Sequence, residues 1–168
     1  LQGYFTFISW RYKASSIWPE DDLFDVLNYF EDLVNKNGAD GFNSWLILEG
    51  NEIVGSAGFT SKPDNNGSIE IGFGILPIKR HKGYCNEAIT ALIRWAFLQV
   101  QVNRIIAHCE LTNEASKAIL QKNGFRQTDI SDNLISWEKE KLWVILLYLF
   151  QRKISSFFLN MCLLEIGY

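Results

Sequence analysis

Apolar and polar residues change their period several times along this chain, and the changes mark its elements. Over residues 18–38 the period is helical: Leu23, Val26, Leu27, Phe30, Leu33 and Val34 fall on one face. Trp18-Pro19 and the acids Glu20, Asp21 and Asp22 suit the start of that helix, and Asn37-Gly38 suits its end. Residues 4–12, YFTFISWRY, alternate loosely and read as a weak strand. From Ser44 the period shortens to two, and SWLILEGNEIVGSAGFTS reads as a hairpin turning at Glu49, Gly50 and Asn51. PDNNG at 63–67 is a second turn, with Asn66-Gly67 suited to left-handed backbone. In SIEIGFGIL, residues 68–76, Ile69, Ile71, Phe73 and Ile75 alternate with Glu70, Gly72 and Gly74. The helical period then returns, with Ala88, Ile89, Leu92, Ala96 and Val100 along one stripe. NRIIAHCEL at 103–111 is a short apolar strand, in which His108 and Cys109 read as core residues. NEASKAILQKNGF is a helix ending at Asn123-Gly124, and FRQTDI with LISWEKE makes a last hairpin.

Hairpin strands followed by a strand–helix–strand–helix passage imply a mixed sheet covered by helices, an α/β or α+β domain. A chain of 168 residues is long enough for one sizeable core. With 48% hydrophobic and 14% aromatic residues it is globular in composition. A net charge of −3 argues against nucleic acid as a partner, which calls for a broad basic face. Cys85, Cys109 and Cys162 have no metal-like spacing, and only two histidines accompany them, so no metal is expected. They read as reduced thiols of a cytoplasmic protein, and no stretch at the start resembles a secretory signal.

Against that acidic background, residues 79–83 stand out as Lys-Arg-His-Lys-Gly, placed between a strand and a helix. The first N–H groups of a helix have no intrahelical acceptor and sit at the positive end of its dipole. A glycine in the approach lets a ligand come close to them, which makes an anion site. RHKGYC has these ingredients, since Gly83 offers access while Arg80 and Lys82 add charge. An ordinary solvated basic loop has the same local pattern. Gly72 and Gly74 in the preceding strand point further toward a ligand, because glycine inside a strand often marks a bulge or a close approach. Asn113 and Ser116, at the start of the next helix, can project toward the same gap. Together they suggest a ligand with phosphate at one end and an amide-bearing arm.

At this point the chain resembles the GNAT superfamily of N-acetyltransferases. RHKGYC is similar to its pyrophosphate turn, Arg/Gln-x-x-Gly-x-Gly/Ala, with Cys85 where glycine or alanine is usual. NEASKAILQKNGF is similar to the superfamily's later helix and its closing Gly-Phe, and PDNNGSIEIGFGILP with GYCNEAITALIRWAF looks like the subgroup related to ribosomal-protein N-terminal acetyltransferases. The similarity runs from about Trp18 to Glu138. It implies a mixed, mostly antiparallel sheet, splayed between the strands at 68–76 and 104–110, with acetyl-CoA in the slot. It implies that the backbone of Arg80, His81, Lys82, Gly83, Tyr84 and Cys85 holds the pyrophosphate. Phe73, Gly74 and Ile75 would offer backbone groups to the pantetheine arm and thioester oxygen, with Asn113 on the opposite wall.

The implied reaction is direct attack of a primary amine on the thioester in a ternary complex. The amine belongs to a protein N-terminus or a small molecule. Ordinary pKa values are about 8 for an α-amine and about 10.4 for lysine, so a base helps at neutral pH. Glu70 is the candidate base, its plain alternative being an exposed strand glutamate. Many GNAT enzymes carry a tyrosine acid four residues before the Gly-Phe pair, where this chain has Leu120. Ser116 matches the serine that the resembling subgroup carries instead, and Tyr84 is a weaker substitute. The acids Glu20, Asp21, Asp22, Asp25, Glu31 and Asp32 would attract a cationic acceptor or simply face solvent. The rival reading is a non-catalytic acyl-CoA-binding or regulatory domain.

The expected domain spans 1–141, with the family's leading strand and helix shortened. Residues 142–168 form an extension in which 19 of 27 residues are hydrophobic. Its first apolar run, nine residues long, is too short to span a bilayer. Packing on the core or self-association into an oligomer would cover it.

Overall fold

The computed structural model describes residues 40–142 continuously, together with Asp32, Val34, Asn35, Lys36 and Gly38. Expectations for 4–12, for most of the helix at 20–36 and for the extension at 142–168 lie outside the described residues, apart from Leu142. Asp32, Val34, Asn35 and Lys36 are helical. Gly38 follows with φ +72°, donating its N–H to the Val34 carbonyl at 2.8 Å, as a helix-ending glycine does.

Six strands follow: β1 (Ser44–Glu49), β2 (Glu52–Phe59), β3 (Ser68–Ile75), β4 (Arg104–Glu110), β5 (Arg126–Ser131) and β6 (Leu134–Glu140). Between β3 and β4 lie a short 3-10 turn, Pro77–Lys79, and helix α1 (Tyr84–Leu98). Helix α2 (Glu114–Lys122) joins β4 to β5. The sheet order is β1-β2-β3-β4-β6-β5, antiparallel throughout except for β3 against β4. This is the expected mixed, mostly antiparallel sheet.

The period-two pattern of β3 decides which face is buried. Ile69, Ile71 and Ile75 join Val54, Ala57 and Phe59 in a core completed by Ile89, Leu92, Ile93 and Ala96 of α1. Leu120 and Phe125 extend it at the end of α2, and Ile105, Ala107, Ile135 and Trp137 floor it. Phe42 and Trp95 meet edge-on, ring centroids 5.1 Å apart, where β1 passes α1. A side-chain chain ties the helices: Thr90 Oγ1 donates to Asn123 Oδ1 at 2.8 Å, and Asn123 Nδ2 donates to Asn86 Oδ1 at 3.2 Å.

Four local expectations change. Val100 lies beyond α1 and is exposed, and Ile93 takes the buried place on the stripe. His108 is exposed, because strand alternation puts it on the face opposite Cys109; its Nδ1 lies 3.2 Å from Ser136 Oγ. In the turn at 63–67 only Gly67 is left-handed, φ +73°, because Asp64 Oδ1 accepts from both Asn66 N and Ser68 N at 2.8 Å and shapes the rest. The fourth concerns the glycines of β3 and bears on the site.

Candidate active site

β3 and β4 run side by side for three residues, Ser68 to Glu70 against Arg104 to Ile106, and pair no further. β4 meanwhile stays paired with β6 over its whole length, and β3 stays in register with β2 from Ile71 to Ile75. The two strands therefore part after Glu70, opening a wedge in the sheet. No bulge at Gly72 or Gly74 is needed or present: the pairing with β2 is regular, and it is departure from β4 that frees the backbone.

Which main-chain groups enter the wedge follows from hydrogen-bond parity in an antiparallel pair. Thr60 N donates to Glu70 O and Leu76 N to Val54 O, so the even-numbered residues of β3 face β2. The odd-numbered residues, Ile71, Phe73 and Ile75, face the wedge. Gly74 therefore spends its amide on β2 and contributes mainly a missing side chain. The Ile75 carbonyl already accepts from Arg80 Nε at 3.0 Å, which leaves the Ile75 N–H and both Phe73 groups aimed into the gap. Arg80 thus folds back on the end of β3.

Beyond β3 the chain turns into α1. His81 and Gly83 are both left-handed, φ +63° and +90°. A non-glycine residue in this conformation is uncommon and tends to occur where the backbone shape is functional. Gly83 is the N-cap of α1, yet no side chain caps the helix. Glu87 N is the first helix amide to turn inward, onto Gly83 O at 3.1 Å. The amides before it point outward at the positive end of a helix 15 residues long. A Cβ built on Gly83 meets nothing within 4 Å, so the approach is open. α2 differs: Asn113 Oδ1 accepts from Ser116 N at 3.0 Å and closes that helix start. One helix is capped by its own sequence, and the other is left ready for an anion.

The charges around the turn are arranged less simply than the run of basic residues implies. Lys79 Nζ lies 2.7 Å from Glu49 Oε2 and 2.5 Å from Glu52 Oε2, so it is turned to the β1–β2 hairpin. Lys82 Nζ lies 3.5 Å from Glu49 Oε1, and the Tyr84 hydroxyl donates to the same oxygen. The hydrogen bond from Lys79, and then that from Tyr84, holds the Glu49 carboxyl down at about 2. The Lys79 ammonium is held above its ordinary range by Glu49 and then Glu52, and the Tyr84 phenol is raised mainly by its hydrogen bond to Glu49. These acids sit near the turn in space but 31 and 34 positions before Gly83, which is why the sequence pattern did not reveal them.

An acetyltransferase (GNAT) domain model matches residues 5–126. This chain belongs to the GNAT acetyltransferase family. An N-acetyltransferase of Bacillus subtilis, YjdG, described as uncharacterized, is 46% identical over 117 residues, covering 68% of this chain and 70% of its own. A crystal structure of a GNAT-family acetyltransferase from Bacillus anthracis superposes with a TM-score of 0.54 at 27% identity, over 66% of this chain and 72% of that one. RimL, a ribosomal L7/L12 α-N-protein acetyltransferase solved with coenzyme A, shares the fold at TM-score 0.59 and 17% identity, over 73% of this chain and 76% of its own.

For a GNAT acetyltransferase the remaining candidates fall as follows. Glu70 stands at the last β3–β4 pair, where the wedge begins, and is half-buried; Thr60 Oγ1 lies 3.4 Å from its Oε2. It shares the face of β3 that carries Gly72, opposite the core. Ser116 is half-buried in the first turn of α2, and its hydroxyl has no hydrogen-bond partner among the described residues. Asn113 spends its side-chain oxygen on the cap and keeps its amide N–H₂ to donate. Leu120, at the position where the resemblance to the superfamily implied a tyrosine acid in many members, is fully buried in the core. The Tyr84 hydroxyl faces the hairpin rather than the wedge.

Cys85 turns its side chain into the core beneath the turn, so the residue at the motif's usual Gly/Ala position leaves the main chain accessible. Burial pushes its thiol up to about 12. Native protein at pH 8 is therefore expected to leave Cys85 unmodified by a disulfide reagent for as long as it stays folded. Peptide mapping before and after denaturation checks this; rapid native labelling of Cys85 contradicts the burial.

Proposed function

We propose that this GNAT acetyltransferase transfers an acetyl group from acetyl-CoA to a primary amine by direct attack in a ternary complex. The observation that carries the reading is the uncapped, left-handed start of α1 beside the wedge between β3 and β4. Backbone amides of residues 80–85 are suited to a diphosphate, and the wedge to the arm that follows it. Phe73 and Ile75 would bind that arm along one wall and the Asn113 amide along the other. The Ile75 N–H would face the thioester oxygen as negative charge develops on it. Glu70, directly or through one water, would take the amine proton. The Ser116 hydroxyl would hydrogen-bond the departing sulfur.

Leu120 favours a second reading, a domain that binds acyl-CoA without turnover. The two readings separate on one pair of measurements. Calorimetry with coenzyme A is expected to give one site per chain. Acetyl-CoA consumption is then followed over protein N-terminal peptides, amino acids, polyamines and aminoglycosides. The peptides come first because of the motif likeness to the ribosomal-protein subgroup. Binding with turnover of one amine class supports the enzyme, and Ser116→Ala is then expected to lower turnover with little change in affinity. Binding without turnover over the whole panel supports the second reading, and no binding overturns both. The protein is placed in the cytoplasm on this reading, and among the described residues no helix is long and apolar enough to cross a membrane.

A further inference from the structure

We infer that Glu49, in the β1–β2 hairpin, is a positioning residue that holds the diphosphate turn in its binding shape by clasping both ends of it. This rests on the reading of that turn given under Proposed function. Lys79 precedes the turn and Tyr84 lies at its far end, where α1 begins, and both are bonded to the one Glu49 carboxylate, across 30 and 35 positions of sequence. Lys82, from the middle of the turn, reaches the same carboxylate and also lies 5.9 Å from the Tyr84 ring centroid. Glu52 reinforces one end only, through Lys79. The left-handed His81 and Gly83 lie inside the clasp. Histidine adopts that conformation more readily than most side chains do, but it is still a minority state for it, and bonds from outside the turn favour the shape that contains it.

Two side chains show that this is more than a solvated ion pair. An isolated exposed pair contributes little. Here Lys79 keeps only 13% of its side-chain surface exposed, and the carboxylate is shared among three partners. Charge alone predicts the opposite of positioning. Glu49 and Glu52 balance Lys79 and Lys82, so removing a carboxylate makes the turn more positive and should draw a diphosphate more strongly. Loss of preorganisation should instead weaken binding. The sign of the change therefore distinguishes the two.

The test is coenzyme A and pantetheine titrations of the full chain and its Glu49→Gln variant, pantetheine being a probe that lacks the diphosphate. Glu49→Gln is expected to raise the coenzyme A Kd about fivefold and to leave pantetheine affinity unchanged, because only the diphosphate needs the ordered turn. Glu52→Gln is expected to have a smaller effect, because Glu52 reaches Lys79 alone among these groups. Equal or tighter coenzyme A binding by Glu49→Gln overturns the inference. So does an equal loss for coenzyme A and pantetheine, which marks general damage. Absence of coenzyme A binding by the parent chain overturns the reading of the turn itself, and this inference with it.

Discussion

Gly83→Val is expected to weaken coenzyme A binding about a hundredfold while leaving the protein folded. Two separate effects act at this position. The first is conformational. Gly83 sits at φ +90°, where a side chain costs about 1–2 kcal/mol, and a β-branched one sits at the unfavourable end. In a chain of this length 1 kcal/mol lowers Tm by about 2–4 °C, so the variant should melt lower but cooperatively. The second is access. The space a Cβ would enter holds no protein atom within 4 Å, so the added methyl groups obstruct an incoming ligand rather than the core. Calorimetry with coenzyme A and a thermal melt check both effects together. A folded Gly83→Val variant that keeps parental affinity would show that the diphosphate lies elsewhere.

Glu70→Gln is the second large effect. A positioned general base contributes about 10²- to 10⁴-fold, so kcat is expected to fall within that range once an accepted amine is known. Coenzyme A affinity should not change, because Glu70 stands at the mouth of the wedge while the diphosphate turn begins ten positions later, at Arg80. Glutamine keeps an oxygen for the Thr60 hydroxyl, so stability should change little. Steady-state rates with the preferred amine, alongside coenzyme A titration, give the answer. Parental kcat in a variant with parental affinity removes Glu70 from the chemistry and leaves it as a strand glutamate.

The clasp at Glu49 limits how pH acts on this site. The Glu49 carboxyl is depressed in the folded state, from 4.5 to about 2, so its contribution is present above 4.5 and is lost as pH falls toward 2. Lys79 is raised, so its contribution is present below its ordinary 10.5 and is lost only as pH rises through its higher folded value. The melting difference between the parent and Glu49→Gln is therefore expected to stay level from about pH 5 to 9 and to shrink below 4.5. A difference that instead shrinks near neutral pH would show that the carboxylate is not held this way.

Much of the candidate site was legible along the chain because it is local. The Arg80–Cys85 turn, the Gly83 approach and the Asn113–Ser116 helix start are short runs whose chemistry comes from neighbouring residues. The strands and helices followed from period-two and period-3.6 patterns, and the errors came where those patterns stop. Val100 continues the stripe of α1 in sequence but not in space, because the helix ends at Leu98. His108 was read from an apolar neighbourhood, although strand alternation sends it outward. Gly72 and Gly74 suggested a bulge or a close approach; they pair regularly with β2, and the opening comes from β3 leaving β4.

What the sequence by itself determined, among the described residues, is the set of elements, their order and a basic, glycine-containing turn before a helix. Each depends on side chains within a few positions of one another. Only the tertiary structure decided that β3 leaves β4 after Glu70, that Phe73 and Ile75 rather than Gly74 face the opening, and that Glu49 grips both ends of the turn. Strand parting, hydrogen-bond parity and a carboxylate shared across 30 or more positions are all relations between segments distant in sequence, and local periodicity carries no information about such pairings.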